Sequence, residues 1–334
     1  MRIVRVPSTG ADSLGKDAAM RLWDEEIEAL RPKLREEADA LLESWATTRI
    51  EPGMSKEDVA TRQRANHEAN YLLSEMAIDR EIAGPVGPLR LRTFTPDQVD
   101  GVFLHIHGGG FTAGAPEMTD VLHEIISKEL NLAFVSVDYR LAPENPYPAG
   151  PDDCEAAALW LLEKAAQEFG TQRLLIGGES AGAHLSACTL LRLRDRHDAA
   201  GEFLGANLVF GVYDIAHTPS QRGITPLRDI LSLDVINFFM ECFTPGMTSE
   251  ERRDPDVSPL YADLHGLVPA LFTVGTEDHL VDDTLFMAAR WQLAGNHTEL
   301  LVYPEGPHAC IAMPTLGGHW FPRLMDFLRE CMKR

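Results

Sequence analysis

The chain has 334 residues, 45% of them hydrophobic, and a formal net charge of -21. That apolar fraction can bury a large core, and at this length an α/β enzyme is commonly one domain. The acidic excess argues against a nucleic-acid partner, which needs a basic face, and against anionic membrane surfaces.

The opening residues MRIVRVPSTG lack the apolar core of a signal peptide. No apolar run approaches the roughly 18 residues that span a bilayer, so a soluble, cytoplasmic protein is expected. From Lys16 to about Met76 the sequence is charged with helical spacing, broken at Pro52 and Gly53, and reads as a helical N-terminal arm. From Ile78 the pattern changes. AIDREIAG and PLRLRTFTP flank the turn signal GPVGP and predict a hairpin. Six further strands follow, GVFLHIH, LAFVSVDYR, RLLIGG, GANLVFGVY, PALFTVGTE and TELLVYPE, separated by helical stretches. Such alternation predicts an α/β fold with a mostly parallel sheet covered on both faces.

Between about Ile215 and Ala262 the alternation stops for about 48 residues. A structureless loop of that length is unusual inside a domain, so this stretch is read as an insertion with its own helices. Lying between two core strands, it is expected to cover the strand ends where α/β sheets bind ligands; peripheral decoration is the competing reading. The expected organisation is an arm over residues 1–80 contributing to a cap, a core over 81–214 and 263–334, and a cap insertion over 215–262. Trp23, Leu30, Phe238, Phe239 and Met240 are candidate pocket walls, with core packing as the alternative.

Two glycine-bearing motifs carry the chemistry. In FLHIHGGGFTAG a strand runs into Gly108, Gly109 and Gly110, where backbone N–H groups can point into a cavity with no side chain intervening, as stabilising an oxyanion requires. A phosphate cradle is the alternative, but the lysine and hydroxyl of GxxxxGK[ST] are missing. His105 and His107, two apart on a strand, could instead ligate a metal; no further Asp-His pair follows closely, and His107 is read as orienting the loop. In RLLIGGESAGAHLSACTLLRL, Ser180 stands between Gly178 and Gly182 where a strand gives way to a helix. Such a turn holds a serine in an unusual backbone conformation with its hydroxyl above the sheet, and its neighbours two residues away must be small. An ordinary helix N-cap is the alternative. Cys154, Cys188, Cys242, Cys310 and Cys331 are scattered and odd in number, so neither a disulfide framework nor a structural zinc site is expected.

HGGG at His107 to Gly110, DYRLAPE at Asp138 to Glu144, and GxSAG at Gly178 to Gly182 occur in an order and at distances that resemble the hormone-sensitive-lipase-like family of α/β-hydrolase esterases. The similarity covers about residues 80 to 334. It implies an eight-stranded mostly parallel sheet, a helical cap from the arm and the insertion after the sixth strand, and hydrolysis of carboxylic esters without a cofactor or metal. It further implies an internal ion pair between Asp138 and Arg140.

In this fold the triad runs Ser, then Asp or Glu, then His. After Ser180, the strand PALFTVG leads into TEDHLVDD, where Asp278 follows the strand by three residues; Glu277 is the near competitor. Asp282 and Asp283 read as first-turn acids of the next helix. Downstream of Asp278 lie His297, His308 and His319. His297 would sit at the wrong end of its strand and His319 falls near the last helix, which leaves His308. Ala309 and Cys310 depart from the glycine or aromatic that the family carries after this histidine. Glu179 stands where relatives carry Asp or Thr, projects away from the serine, and is expected to fix the elbow through hydrogen bonds to neighbouring loops.

The implied mechanism has Ser180 attack an ester carbonyl, His308 accept its proton, Asp278 orient the imidazole, and the N–H groups of Gly109, Gly110 and Ala181 hold the oxyanion, with Gly108 supporting the loop. The expected substrate is a small-molecule ester with a short to medium acyl chain, because a long-chain lipase would advertise more apolar surface. Amide or peptide hydrolysis by the same triad, and non-catalytic small-molecule binding on the same fold, stay open. The resemblance also raises a homodimer through the last strand or helix, which no feature of the sequence decides.

Overall fold

A computed structural model describes residues 22–44, 53–223 and 227–334. The expectations placed on residues 1–21 and 45–52 lie outside the described residues.

The arm begins with α1 (Glu25–Ala29), α2 (Arg31–Ser44) and α3 (Lys56–Glu68). Asp24 and Ser55 accept the N–H of Ile27 and Asp58, so α1 and α3 each start with a side chain satisfying a first-turn donor. On α2, Leu34 and Ala38 lie one turn apart on the face that turns inward, and both are buried. The helical spacing read through Met76 ends at Glu68. Beyond it Ser74 donates its N–H to Asp120 and its hydroxyl to Glu124, and these tertiary bonds override the local preference.

The chain continues through β1 (Ala77–Ala83), β2 (Pro88–Phe94), β3 (Gly101–Ile106), α4 (Asp120–Leu130), β4 (Leu132–Val137), α5 (Ala149–Phe169), β5 (Leu174–Glu179), α6 (Ala181–His197), β6 (Phe203–Val209), α7 (Leu233–Phe243), β7 (Ala270–Gly275), α8 (Val281–Leu293), β8 (Thr298–Tyr303) and α9 (Pro314–Cys331). Among the described residues the strands form one eight-stranded sheet in the order β1-β2-β4-β3-β5-β6-β7-β8. β2 runs antiparallel to β1 and β4, and the other neighbours pair in parallel. β1 starts at Ala77, so residue 80 falls inside the first strand.

β3, β4 and β7 are buried at every position, as strands covered on both faces must be. Alternate residues go to opposite sides. Val102, Leu104 and Ile106 pack with Ala157, Leu161, Leu185 and Leu190 of α5 and α6. Phe103 packs with Phe134, Leu175, and Leu324 and Leu328 of α9, and the α2 residues Leu34 and Ala38 belong to this second cluster. Each fully buried aliphatic side chain contributes about 1.5–3 kcal/mol of transfer free energy.

The stretch between β6 and β7 carries α7, and Met240 and Phe243 of that helix join the first cluster. Met240 is therefore core, not pocket wall, and Leu30 on the arm is exposed. The expected Asp138–Arg140 pair does not form. Arg140 turns to Asp153 of α5, with its Nε 2.8 Å from Oδ2, while Asp138 accepts from Arg90 at 2.8 Å. Both residues lie just past the end of β4 (Leu132–Val137), and each meets a partner on a different element, Arg90 on β2 and Asp153 on α5. Asp282 and Asp283 do lie in the first turn of α8, but Asp283 is wholly buried and accepts four hydrogen bonds from residues 213–221.

Because β3 and β5 to β8 run parallel, their C-terminal ends share one edge of the sheet. The loops carrying residues 107–114, 180, 276–280 and 304–313 all emerge there.

Candidate active site

At the end of β5, Ser180 has φ 56° and ψ -118°, a positive φ that non-glycine residues rarely adopt. It stands at the N-cap of α6, yet its hydroxyl makes no cap hydrogen bond. The ordinary N-cap reading therefore fails, and the hydroxyl is left for another partner. The flanking glycines have one shared cause: a Cβ on Gly178 would meet the Ile106 carbonyl oxygen at 2.0 Å, and one on Gly182 would meet it at 1.9 Å. β3 and the start of α6 pass so closely that no side chain fits at either position. The turn is pinned further by the Ser180 N–H, which donates to the Val209 carbonyl at 2.9 Å.

His308, in the loop after β8, has its Nε2 3.1 Å from Ser180 Oγ and its Nδ1 2.9 Å from Asp278 Oδ2. A carboxylate can only accept, so the imidazole proton sits on Nδ1 and Nε2 is the lone-pair nitrogen facing the serine hydroxyl. The Asp278 side chain is fully shielded from solvent and that of His308 is 14% exposed. Asp278 is held by the Leu280 N–H at 2.8 Å. Burial disfavours the His308 imidazolium, but the Asp278 carboxylate outweighs it, with Asp229 adding to the effect, and the net pKa lies above the ordinary histidine value. Burial pushes the Asp278 carboxyl above the usual range, with His308 opposing.

The competing histidines and acid are engaged elsewhere. His319 lies 3.1 Å from the Tyr303 hydroxyl. His297 is exposed just before β8. Glu277 accepts the Arg228 N–H at 3.1 Å. Cys310 is buried, and burial raises its thiol, so it stays protonated.

The HGGG loop turns over beside the serine. Gly109 and Gly110 have φ of 114° and 61°. A Cβ on Gly109 would meet the Ala113 carbonyl oxygen at 2.1 Å, and one on Gly108 would meet the Glu179 carbonyl oxygen at 2.9 Å. Ala181 is the first residue of α6, where a helix N–H has no acceptor within the helix. His107 is buried, stacks on Tyr139 with ring centroids 4.3 Å apart, and donates from Nδ1 to the Gly108 carbonyl at 2.7 Å. Burial lowers its pKa to about 3, so it is a neutral loop support.

His105 points to the other face of the sheet, where Nδ1 lies 2.7 Å from Ser136 Oγ and Nε2 3.1 Å from Glu179 Oε2. Glu179 thus ties the elbow to a strand histidine rather than to neighbouring loops. Among the described residues no group of His, Cys, Asp and Glu is arranged to hold a metal ion. None of their helices is long and apolar enough to cross a membrane.

Two residues escaped the sequence reading. Tyr139 donates its hydroxyl to the His107 carbonyl at 3.0 Å. Asp229, in the insertion, accepts the His308 backbone N–H at 2.9 Å. Tyr139 stands inside the DYRLAPE motif, whose letters do not say what its hydroxyl bonds to, and Asp229 carries no periodic or motif signal. Of the candidate pocket walls, Phe239 lies against Gly110 with Phe238 beside it, whereas Trp23 donates to Glu28 on the arm.

A family model described as alpha/beta hydrolase fold matches residues 103–312. The carboxylic ester hydrolase LipN of Mycobacterium tuberculosis is 32% identical over 247 residues, which cover 72% of this chain and 65% of that protein. The carboxylesterase NlhH of the same organism is 32% identical over 253 residues, covering 72% of this chain and 77% of that protein. A crystal structure of a hormone-sensitive lipase from a metagenome library superposes with a TM-score of 0.71 at 26% identity, over 92% of this chain and 97% of that one. The chain belongs to the hormone-sensitive-lipase-like esterase family of the α/β-hydrolase superfamily.

Proposed function

We propose that the protein is a serine carboxylesterase for short- to medium-chain acyl esters, with Ser180 as nucleophile, His308 as general base and acid, and Asp278 as the carboxylate that orients it. The observation that carries this reading is the hydrogen-bonded line from Ser180 Oγ through His308 to a buried carboxylate. A serine hydroxyl is a poor nucleophile until such a base takes its proton.

Ser180 Oγ adds to the ester carbonyl carbon as its proton passes to His308 Nε2. Asp278, already bonded to Nδ1–H, stabilises the imidazolium that results. The carbonyl oxygen becomes an oxyanion held by the N–H groups of Gly109, Gly110 and Ala181, each such donor supplying about 2.7–4 kcal/mol. Collapse breaks the ester C–O bond, and the alkoxide leaves with the proton from Nε2. A water molecule then gives a proton to Nε2 while its oxygen attacks the acyl-enzyme; the second tetrahedral species releases the acid, and Ser180 recovers its proton. Gly108 and His107 support the loop without touching substrate.

The arm helices α1 to α3 and the insertion that carries α7 form the cap in this reading, above a core that begins with β1 at Ala77 and resumes at residue 263. The Phe239 ring beside Gly110 narrows the space next to the oxyanion and favours short acyl groups, and the relative NlhH is named a carboxylesterase. A cytoplasmic location and a homodimer along the β8 edge, where the sheet order ends, complete the proposal. Cell fractionation and sedimentation test these two points; recovery outside the cytoplasm or a monomer at all concentrations would remove them.

The test is hydrolysis of a p-nitrophenyl ester series from acetate to palmitate by wild type and Ser180→Ala. Rates that peak at short chains and vanish in the variant are expected. A folded wild type inactive on every ester would direct the assignment to amide hydrolysis or to binding alone.

A further inference from the structure

The insertion makes a contact with the base that triad chemistry does not require. One oxygen of the Asp229 carboxylate accepts the backbone N–H of His308 at 2.9 Å. The other accepts the backbone N–H of His279 at 2.9 Å and faces its ring Nδ1 at 3.0 Å. The Asp229 side chain is fully shielded from solvent. A buried carboxylate is costly unless its oxygens are satisfied, and here the satisfying donors are the base itself and the neighbour of the triad acid.

The loop that carries His308 needs such a hold. Glu305 and Ala309 on either side of it have φ of 61° and 62°. Left-handed backbone costs about 1–2 kcal/mol at a non-glycine residue, so the conformation persists only where the surroundings impose it. The Asp229 bond falls between the two strained positions. Arg228 anchors the same segment from outside: its N–H donates to Glu277 at 3.1 Å, and its guanidinium pairs with Asp39 of α2 and lies 3.7 Å from Glu305. Residues 228 and 229 thereby join insertion, arm, acid loop and base loop.

We propose that Asp229 is a positioning residue for His308, through which the seating of the cap sets the geometry of the catalytic base. The inference rests on the reading of His308 as that base. The titratable groups around His308 are Asp278 from the acid loop, Asp229 from the insertion and Ser180 from the elbow, with His279 and Glu277 beyond Asp278 and Glu305 and Cys310 on its own loop. The two nearest carboxylates both favour the imidazolium, against burial, so neutralising Asp229 makes His308 easier to deprotonate.

The test is steady-state hydrolysis of p-nitrophenyl acetate across the acid limb by wild type, Asp229→Asn, Asp229→Glu and Ser180→Ala, with circular-dichroism melts alongside. Asp229→Asn is expected to lower kcat about 10- to 100-fold with KM within about twofold, and to move the acid limb to lower pH. Asp229→Glu keeps the charge on a longer stem, so its limb stays near wild type while kcat is still reduced. If Asp229→Asn does not fold, that dissociation in Asp229→Glu carries the test. Wild-type kcat and an unmoved limb in folded Asp229→Asn would overturn the proposal while leaving the triad standing. So would a loss confined to KM or to the melting temperature. An active Ser180→Ala would overturn the triad reading first, and this proposal with it.

Discussion

The ring of Phe239, on α7 of the insertion, lies over the α-carbon of Gly110 so closely that a methyl group there would meet it at 2.4 Å. The insertion therefore reaches the backbone segment assigned to oxyanion binding.

The first prediction follows from that contact. Gly110 has φ 61°, which alanine can adopt at modest cost, so the main obstacle to Gly110→Ala is the Phe239 ring. Gly110→Ala is expected to lower kcat/KM about 10²- to 10³-fold through displacement of the loop. Phe239→Ala in the same chain should recover part of the loss and shift the preferred p-nitrophenyl ester to a longer acyl chain. Additive losses in the double variant, with no change in preference, would show that the ring does not bound the acyl site.

A second prediction concerns pH. The base acts in its neutral form, and His308 holds its proton above the ordinary value of 6.5 because Asp278 outweighs burial. The acid limb of kcat/KM should therefore lie above that value, activity rising as pH rises through it. Asp278→Asn should lower kcat about 10⁴-fold and move the limb down in pH. A limb that stays in place in Asp278→Asn would contradict the assignment of the acid.

Much of this was legible because the motifs mark places where backbone meets backbone. Gly178 and Gly182 are both small for the same Ile106 carbonyl, and Gly109 for that of Ala113, so glycine spacing reported geometry directly. The strands were readable since burial on both faces leaves near-continuous apolar runs such as LAFVSV. What escaped was side-chain partnership between distant elements. Asp138 and Arg140 are neighbours in the chain, yet Arg90 and Asp153 claim them, and Glu179 found a strand histidine rather than a loop. Asp229 looks like any other acid of an acidic insertion until the fold brings it to His308.

Asp283 supplies a third prediction, on stability. Its carboxyl is buried at the start of α8, and burial raises its pKa to about 7 although Gln221, Thr218 and the N–H groups of Asp214 and Tyr213 pull it back. An acid whose folded-state pKa lies above its unfolded value of 3.8 contributes stability that is whole below that value and is lost as pH rises through about 7. Wild type should lose melting temperature relative to Asp283→Asn between mildly acid and mildly alkaline buffer. Parallel pH dependences in the two proteins would contradict this.

The arm yields a fourth. Glu305 is almost fully buried and receives Arg31 and Arg35 of α2, each at 2.9 Å. Both arginines are partly exposed, so the pairs are screened, and Glu305→Gln is expected to cost on the order of 1 kcal/mol. The readout is limited proteolysis of the arm, which should speed up in the variant and, in wild type, with added salt. A cleavage rate indifferent to both would mean that the ion pairs do not hold the arm down.

The central claim is that Ser180 is the nucleophile activated by His308, and covalent capture tests it most directly. A fluorophosphonate probe is added to wild type, Ser180→Ala and His308→Ala, and the adduct is mapped by mass spectrometry while p-nitrophenyl butyrate hydrolysis is followed. The account predicts one adduct on Ser180 that abolishes hydrolysis, none in Ser180→Ala, and labelling in His308→Ala slower by about 10³-fold or more. Full hydrolysis by folded Ser180→Ala, or an inactivating adduct on another residue, would contradict it.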